Sequence, residues 1–254
     1  MIARFPDLAG RVAVVTGASR GIGAATAVFL AGNGMAVALV ARSKEGLDEV
    51  RERIWDAGGR SMVAAADVTD PESLAEVAAQ VEADLGPVAA LVAFAGGAGA
   101  PKPSLRMSLE DWNATVATDL TGTFATIRTF APAMVERGRG SVVTMSSAAG
   151  RLPSRANVAY AAAKSGVQML TKHLAAELGP SGIRLNCVAP SAVHNEKMDA
   201  MMTEEQRAAL GATFPLGRIG EPDDIAAATA FLLSDASGWI TGTTLDISGG
   251  KVIL

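Results

Sequence analysis

Cysteine is almost missing from this 254-residue chain: Cys187 stands alone, so no internal disulfide can staple the fold. Cys187 also lies inside the apolar run 183–188, which marks a buried, inert thiol and not a nucleophile. Histidine is scarce too, and His173 and His194 with one cysteine make no zinc-ligand cluster. No stretch reaches the roughly 18 consecutive apolar residues of a membrane helix. Basic residues are not in excess, with 22 Lys and Arg against 26 Asp and Glu and a net charge of -4. That balance provides no basic stripe for nucleic acid and no polybasic patch for a membrane surface. The first ten residues hold an Asp and no apolar signal core, so a cytoplasmic protein is expected.

What the chain does have is a hydrophobic content of 49% against 19% charged residues, a globular balance. Short apolar runs rich in β-branched residues recur at 11–16, 36–40, 61–65, 89–94, 141–145, 183–188 and 243–247, and read as strands. Segments with helix spacing separate them. In 71–85, Leu74, Val77, Ala78, Val81 and Leu85 share one face, and 108–138 fits a helix with Ser108 as its cap. Strands alternating with helices imply an α/β fold, a doubly wound parallel sheet of six or seven strands covered on both faces. No repeat, linker or low-complexity stretch divides it, so residues 1–254 are expected to form a single domain.

The first strand runs directly into Thr16-Gly17-Ala18-Ser19-Arg20-Gly21-Ile22-Gly23, and an alanine-rich helical pattern follows to about Gly34. In the context of strand, loop and helix, glycines allow a tight turn and let backbone approach a pyrophosphate at a helix N-terminus. The second strand ends in Ala41-Arg42-Ser43, with no acid to hold a ribose 2′-hydroxyl. Arg42 lies just past that position and Arg20 lies in the glycine loop, two guanidiniums able to fork onto a 2′-phosphate. They argue for NADP(H) over NAD(H), with solvated surface arginines as the bland alternative.

A second motif follows the fifth strand. Ser147 stands thirteen residues before Tyr160, the only tyrosine, and Lys164 comes one helical turn after it. An ammonium beside a phenol favours the phenolate and draws its pKa down from about 10 toward the working range of a general acid or base.

The Ser147 to Tyr160-x-x-x-Lys164 spacing and the Thr16 to Gly23 wording resemble the short-chain dehydrogenase/reductase family, and the likeness extends over essentially the whole chain. In wording it is nearest to 3-oxoacyl-carrier-protein reductase-like members. The resemblance implies hydride transfer between the nicotinamide of NADP(H) and a substrate carbon of a ketone/secondary alcohol pair. Ser147 would donate to the substrate oxygen, Tyr160 would exchange the proton, and Lys164 would hold the nicotinamide ribose. It also implies cofactor contacts at Gly17, Ser19, Arg20, Gly21, Ile22, Gly23, Arg42 and Ser43, at Asp67 and Val68 beside the adenine, and at Ala95 and Gly96 near the nicotinamide ribose. Pro190 and Val193 complete that set, and a homotetramer with contacts through the helix of Tyr160 and the last strand is implied. The substrate would be a small carbonyl compound or alcohol, and an acyl thioester is one option. The Met198, Met201 and Met202 segment, 191–214, lies where the family carries a substrate lid, and helix packing explains those methionines equally well.

Five positions depart from the family wording. Ala93 and Phe94 replace two asparagines, Ser191 and Asn195 replace a glycine and a threonine, and Asp119 replaces the asparagine of a four-residue catalytic set. Asp119 still accepts hydrogen bonds, but it adds negative charge near Lys164 and cannot donate as an amide does. Because fold does not fix substrate, a dehydrogenase of another alcohol, sugar or steroid is an open alternative. So is a nucleotide-binding sensor or assembly subunit with little catalysis, against which the complete Ser147, Tyr160 and Lys164 set speaks.

Overall fold

Buried runs of Val, Ala and Leu pair into one sheet in the computed structural model, which describes residues 3–97 and 101–253. The strands are β1 (Val12–Thr16), β2 (Ala36–Ala41), β3 (Arg60–Ala65), β4 (Val88–Ala93), β5 (Gly140–Met145), β6 (Ile183–Pro190) and β7 (Thr244–Ile247). All neighbours are parallel, in the order β3-β2-β1-β4-β5-β6-β7. The helices are α1 (Gly21–Gly32), α2 (Lys44–Asp56), α3 (Pro71–Asp84), α4 (Leu109–Val116), α5 (Gly122–Glu136), α6 (Val158–Leu178), α7 (Glu196–Met201), α8 (Glu204–Gly211) and α9 (Pro222–Leu233).

The strand period of two divides the core into two layers. Ala13 and Val15 point into a cluster with Leu30, Leu47 and Ile225, contributed by α1, α2 and α9. Val12 and Val14 point the opposite way, into a cluster with Val77, Val81, Ile127, Phe130 and Met134 from α3 and α5. The central strands β1, β2, β4, β5 and β6 are buried on both faces and read as near-unbroken apolar runs, while the edge strands β3 and β7 are only partly buried. Helix starts follow local chemistry: Asp70 accepts from Glu72 N and Ser73 N ahead of Pro71, and Thr203 and Gln206 form a reciprocal capping box.

Two expected boundaries move for identifiable reasons. The fourth strand stops at Ala93, not Phe94, because Phe94 N and Ala95 N both donate to Thr16 Oγ1 (each 3.1 Å) and leave the ladder. This hydroxyl joins the ends of the two central strands where the family asparagines are absent, and Phe94 is buried in the core. The helix expected over 108–138 is interrupted: Ala117–Thr121 forms a wider turn in which Gly122 N bonds back to Ala117 O, five residues earlier. Such turns are rare and gather at functional sites.

The strand order reverses between β1 and β4, since β2 and β3 lie on one side and β5 to β7 on the other. In open α/β sheets the crevice at that reversal, beyond the carboxyl ends of the strands, is where ligands bind.

Candidate active site

At the end of β1 the chain makes a tight turn. Gly17 has φ +72, and a Cβ there would lie 2.8 Å from the Phe94 carbonyl oxygen, so the loop is pressed against the end of β4. A Cβ on Gly23 would lie 2.1 Å from Gly17 O, and no side chain fits. Arg20 takes the position before α1 without a side-chain cap bond, so the first amides of that helix, at Gly21, Ile22 and Gly23, face outward as an anion-binding end. The backbone of this cradle fits the pyrophosphate of a dinucleotide.

Ser19 lies against the start of α2: a Cβ on Gly46 would meet Ser19 O at 3.0 Å and Ser43 Oγ at 3.5 Å. Ser43 caps α2 by accepting from Gly46 N. Arg42 is 77% exposed and 3.8 Å from Asp67, a pair too open to hold either group tightly. Asp67 is first a turn residue. Its Oδ1 accepts from Thr69 N (2.9 Å) and Thr69 Oγ1 (2.7 Å), and those bonds, helped by Arg42, hold its carboxyl below the usual range. Val68 is buried under α5, where a Cβ on Gly122 would come within 2.7 Å of its methyl.

The second half of the site grows from β5 and α6. Ser147 follows β5 and caps a short turn, accepting from Ala149 N at 3.2 Å. Asn157 caps α6 by accepting from Tyr160 N at 2.9 Å, which puts Tyr160 in the first turn and Lys164 one turn on. The Lys164 ammonium lies 5.5 Å from the centre of the Tyr160 ring and donates to the Met145 carbonyl at 3.0 Å. Residues missed in the sequence fix that approach. Ser146 Oγ donates to the Lys164 carbonyl (2.7 Å) and accepts from Gln168 Nε2 (2.8 Å), tying α6 to the end of β5. The signal was available: Gln168 is four residues beyond Lys164, on its face of the helix.

Asp119 completes the cluster. It projects from the wide turn so that Oδ1 is 2.9 Å from Lys164 Nζ, with both side chains almost fully buried (2% and 3% exposed). Gly97 N donates to the same oxygen at 3.2 Å. Gly96, at φ +149, passes so close that a Cβ would sit 2.5 Å from Asp119 Oδ1 and 3.3 Å from Lys164 Nζ. The structure thus gathers Ala95, Gly96, Asp119, Tyr160 and Lys164 at the carboxyl ends of β4 and β5.

Pro190 ends β6, opposite Ile247 of β7, and Val193 forms a bridge with Gly220. Asn195, in the family's threonine place, is occupied as the cap of α7: it accepts from Met198 N and donates to the Val193 carbonyl. The expected lid segment is α7 and α8, on which Met201 is exposed and Met198 half-buried. His194 sits at its base, with Nε2 2.8 Å from Asp199 and Nδ1 3.4 Å from Glu221, and the Asp199 bond raises its pKa above the ordinary value. Cys187 is buried in β6, and burial pushes its thiol up. His173 is exposed on α6, 3.8 Å from Glu177. Among the described residues no group of His, Cys, Asp and Glu is placed to hold a metal ion, and no helix is long and apolar enough to cross a membrane.

Comparison with known proteins agrees with this geometry. Residues 17–251 match a family model described as enoyl-(acyl carrier protein) reductase. The chain is 39% identical over 246 residues to D-threitol dehydrogenase of Mycolicibacterium smegmatis, covering 97% of this chain and 94% of that protein. It is 37% identical over 247 residues to the 3-oxoacyl-(acyl-carrier-protein) reductase FabG of Escherichia coli, covering 96% and 98%. A crystal structure of a short-chain type dehydrogenase/reductase from Mycobacterium marinum superposes with a TM-score of 0.92 at 33% identity, covering 98% of both chains. The dinucleotide cradle, the cluster at Tyr160 and these full-length likenesses place the chain in the short-chain dehydrogenase/reductase family, among the oxidoreductases of alcohol and carbonyl groups.

Proposed function

We propose that the protein is an NADP(H)-dependent oxidoreductase of a ketone/secondary alcohol pair, with Ser147, Tyr160 and Lys164 as its catalytic residues. The observation that carries this is the buried Lys164 ammonium, 5.5 Å from the ring of the only tyrosine, beside the glycine turn that follows β4. The dinucleotide, when bound, supplies or accepts the hydride. Gly17, Ser19, Gly21, Ile22 and Gly23 would hold its pyrophosphate, Asp67 and Val68 its adenine, and Ala95, Gly96, Pro190 and Val193 its nicotinamide end. Arg20, Arg42 and Ser43 would take the 2′-phosphate; the exposed Arg42 guanidinium and the contact of Ser19 with the start of α2 support this.

Each catalytic group has its capacity in place. Ser147 Oγ already accepts from Ala149 N, so its own hydrogen is left for the substrate oxygen, where negative charge grows during reduction. The Tyr160 hydroxyl delivers the proton to that oxygen in reduction and removes it in oxidation. Lys164 directs two ammonium hydrogens at Met145 O and Asp119, which leaves the third for a ribose hydroxyl. Asp119 holds that ammonium in position.

The likeness to FabG supports a 3-oxoacyl thioester as substrate, and the likeness to D-threitol dehydrogenase supports a polyol. Part-exposed Leu245 on edge strand β7 and exposed Met169 on α6 support a homotetramer with contacts there. The test is a scan of NADPH absorbance with 3-oxoacyl thioesters, diketones and quinones, with NADP+ and polyols for the reverse direction. Turnover with at least one class is expected. Binding of NADPH without turnover across the whole panel would favour a dinucleotide sensor. Arg42→Asp is expected to lower the preference for NADPH over NADH, and an unchanged ratio would remove Arg42 from the 2′-phosphate site.

A further inference from the structure

Asp119 and Lys164 are the only charged side chains among the fully buried residues described. A buried ion pair costs several kcal/mol per ion in lost hydration, and an apolar pair of the same size often serves stability as well. Stability is therefore a weak reason for a carboxylate at this point, and its surroundings supply a better one. The carboxylate faces the backbone that follows β4, taking Gly97 N at 3.2 Å and lying where a Cβ on Gly96 would be. Counted over the cluster, Lys164 contributes one positive charge, Asp119 one negative charge, and the Tyr160 hydroxyl none. The sum is zero, whereas an amide at position 119 would leave it at plus one. Cys187, in the neighbouring strand, adds no charge, because burial keeps its thiol protonated.

Oxidised nicotinamide is a cation and reduced nicotinamide is neutral. A site of zero net charge tolerates the cation, and a site of plus one repels it. We propose that Asp119 sets the redox poise of the bound dinucleotide in this protein by favouring its oxidised over its reduced form, which makes the bound couple more reducing and draws hydride transfer on the protein toward carbonyl reduction. This rests on the reading that a nicotinamide lies beside Tyr160 and Lys164. Burial withdraws the carboxylate from salt screening. A unit charge acting over about 10 Å at an effective dielectric near 20 changes an equilibrium constant by roughly tenfold. Asp119 acts here as a positioning group for Lys164 and as a fixed charge; it need not touch the substrate.

Dissociation constants separate this role from a merely structural one. NADPH affinity is measured by its fluorescence and NADP+ affinity by calorimetry, for the full chain and for Asp119→Asn. In the variant NADP+ is expected to weaken relative to NADPH by roughly tenfold. Asp119→Ser, which removes the charge without leaving an amide, is expected to shift the ratio the same way and is read if Asp119→Asn does not fold. Equal weakening of both forms, with the ratio unchanged, would overturn the proposal and leave Asp119 a packing residue. Failure of the unaltered protein to bind either form would instead refute the dinucleotide site itself.

Discussion

Replacing Lys164 by Met removes the ammonium while keeping a flexible stem of similar length, so the loss isolates the charge. In the folded protein Asp119 is 2% exposed and has Lys164 at 2.9 Å and Gly97 N at 3.2 Å. With the lysine gone, one backbone amide faces a buried carboxylate, and removing one partner of such a pair costs about 3–5 kcal/mol. For a chain of this length each kcal/mol lowers Tm by about 2–4 °C, so a fall of roughly 6–20 °C is expected. Asp119→Asn alone is expected to cost less, because Lys164 keeps the Met145 carbonyl at 3.0 Å and the amide oxygen can accept. The double variant leaves no uncompensated charge and is expected to recover about 2 kcal/mol or more of the Lys164→Met loss. Urea unfolding of all four proteins at one protomer concentration, with dinucleotide absent, reads the coupling. A coupling energy under about 0.5 kcal/mol would refute the buried pair as the dominant interaction of either side chain.

Two further outcomes follow from the geometry. Gly23→Ala puts a methyl 2.1 Å from Gly17 O, so dinucleotide binding by fluorescence titration is expected to be lost; near-normal affinity would show that the cradle is not where the pyrophosphate binds. His194 is held between Asp199 and Glu221, with Arg207 opposing, so its proton NMR titration is expected to have a midpoint above about 6.5. Because its folded pKa is raised, its stabilising contact with α7 is complete below that ordinary value and is lost as pH rises through the folded midpoint. Asp199→Asn is expected to bring the midpoint down, and an unmoved midpoint would remove Asp199 as the cause.

The fold was legible because its central strands are buried on both faces and so read as near-continuous apolar runs, while the helices between the strands keep a 3.6-residue period. The glycine loop was legible because only glycine fits at Gly17 and Gly23. The catalytic spacing was legible because Tyr160 and Lys164 are one helical turn apart, a distance that sequence reports directly. What sequence does not report is contact across elements. The family resemblance alone brings Asp119 near Lys164; the direct 2.9 Å contact rides on the wide turn at Ala117–Thr121, and nothing in that apolar-periodic segment marks an i to i+5 bond. Thr16 joining β1 to β4 is likewise a contact between residues 78 and 79 positions apart. The brace from Ser146 to Gln168 spans 22 positions for the same reason.

Tyr160→Phe keeps the ring against Lys164 and deletes the transferable proton, which makes it the most direct measurement. Losing a positioned general acid or base is expected to slow turnover by about 10²–10⁴-fold, while NADPH affinity by fluorescence titration stays within about twofold, since the lost hydroxyl is not among the groups holding the ammonium. Turnover by Tyr160→Phe at the rate of the unaltered protein would contradict the assignment of this phenol as the proton donor.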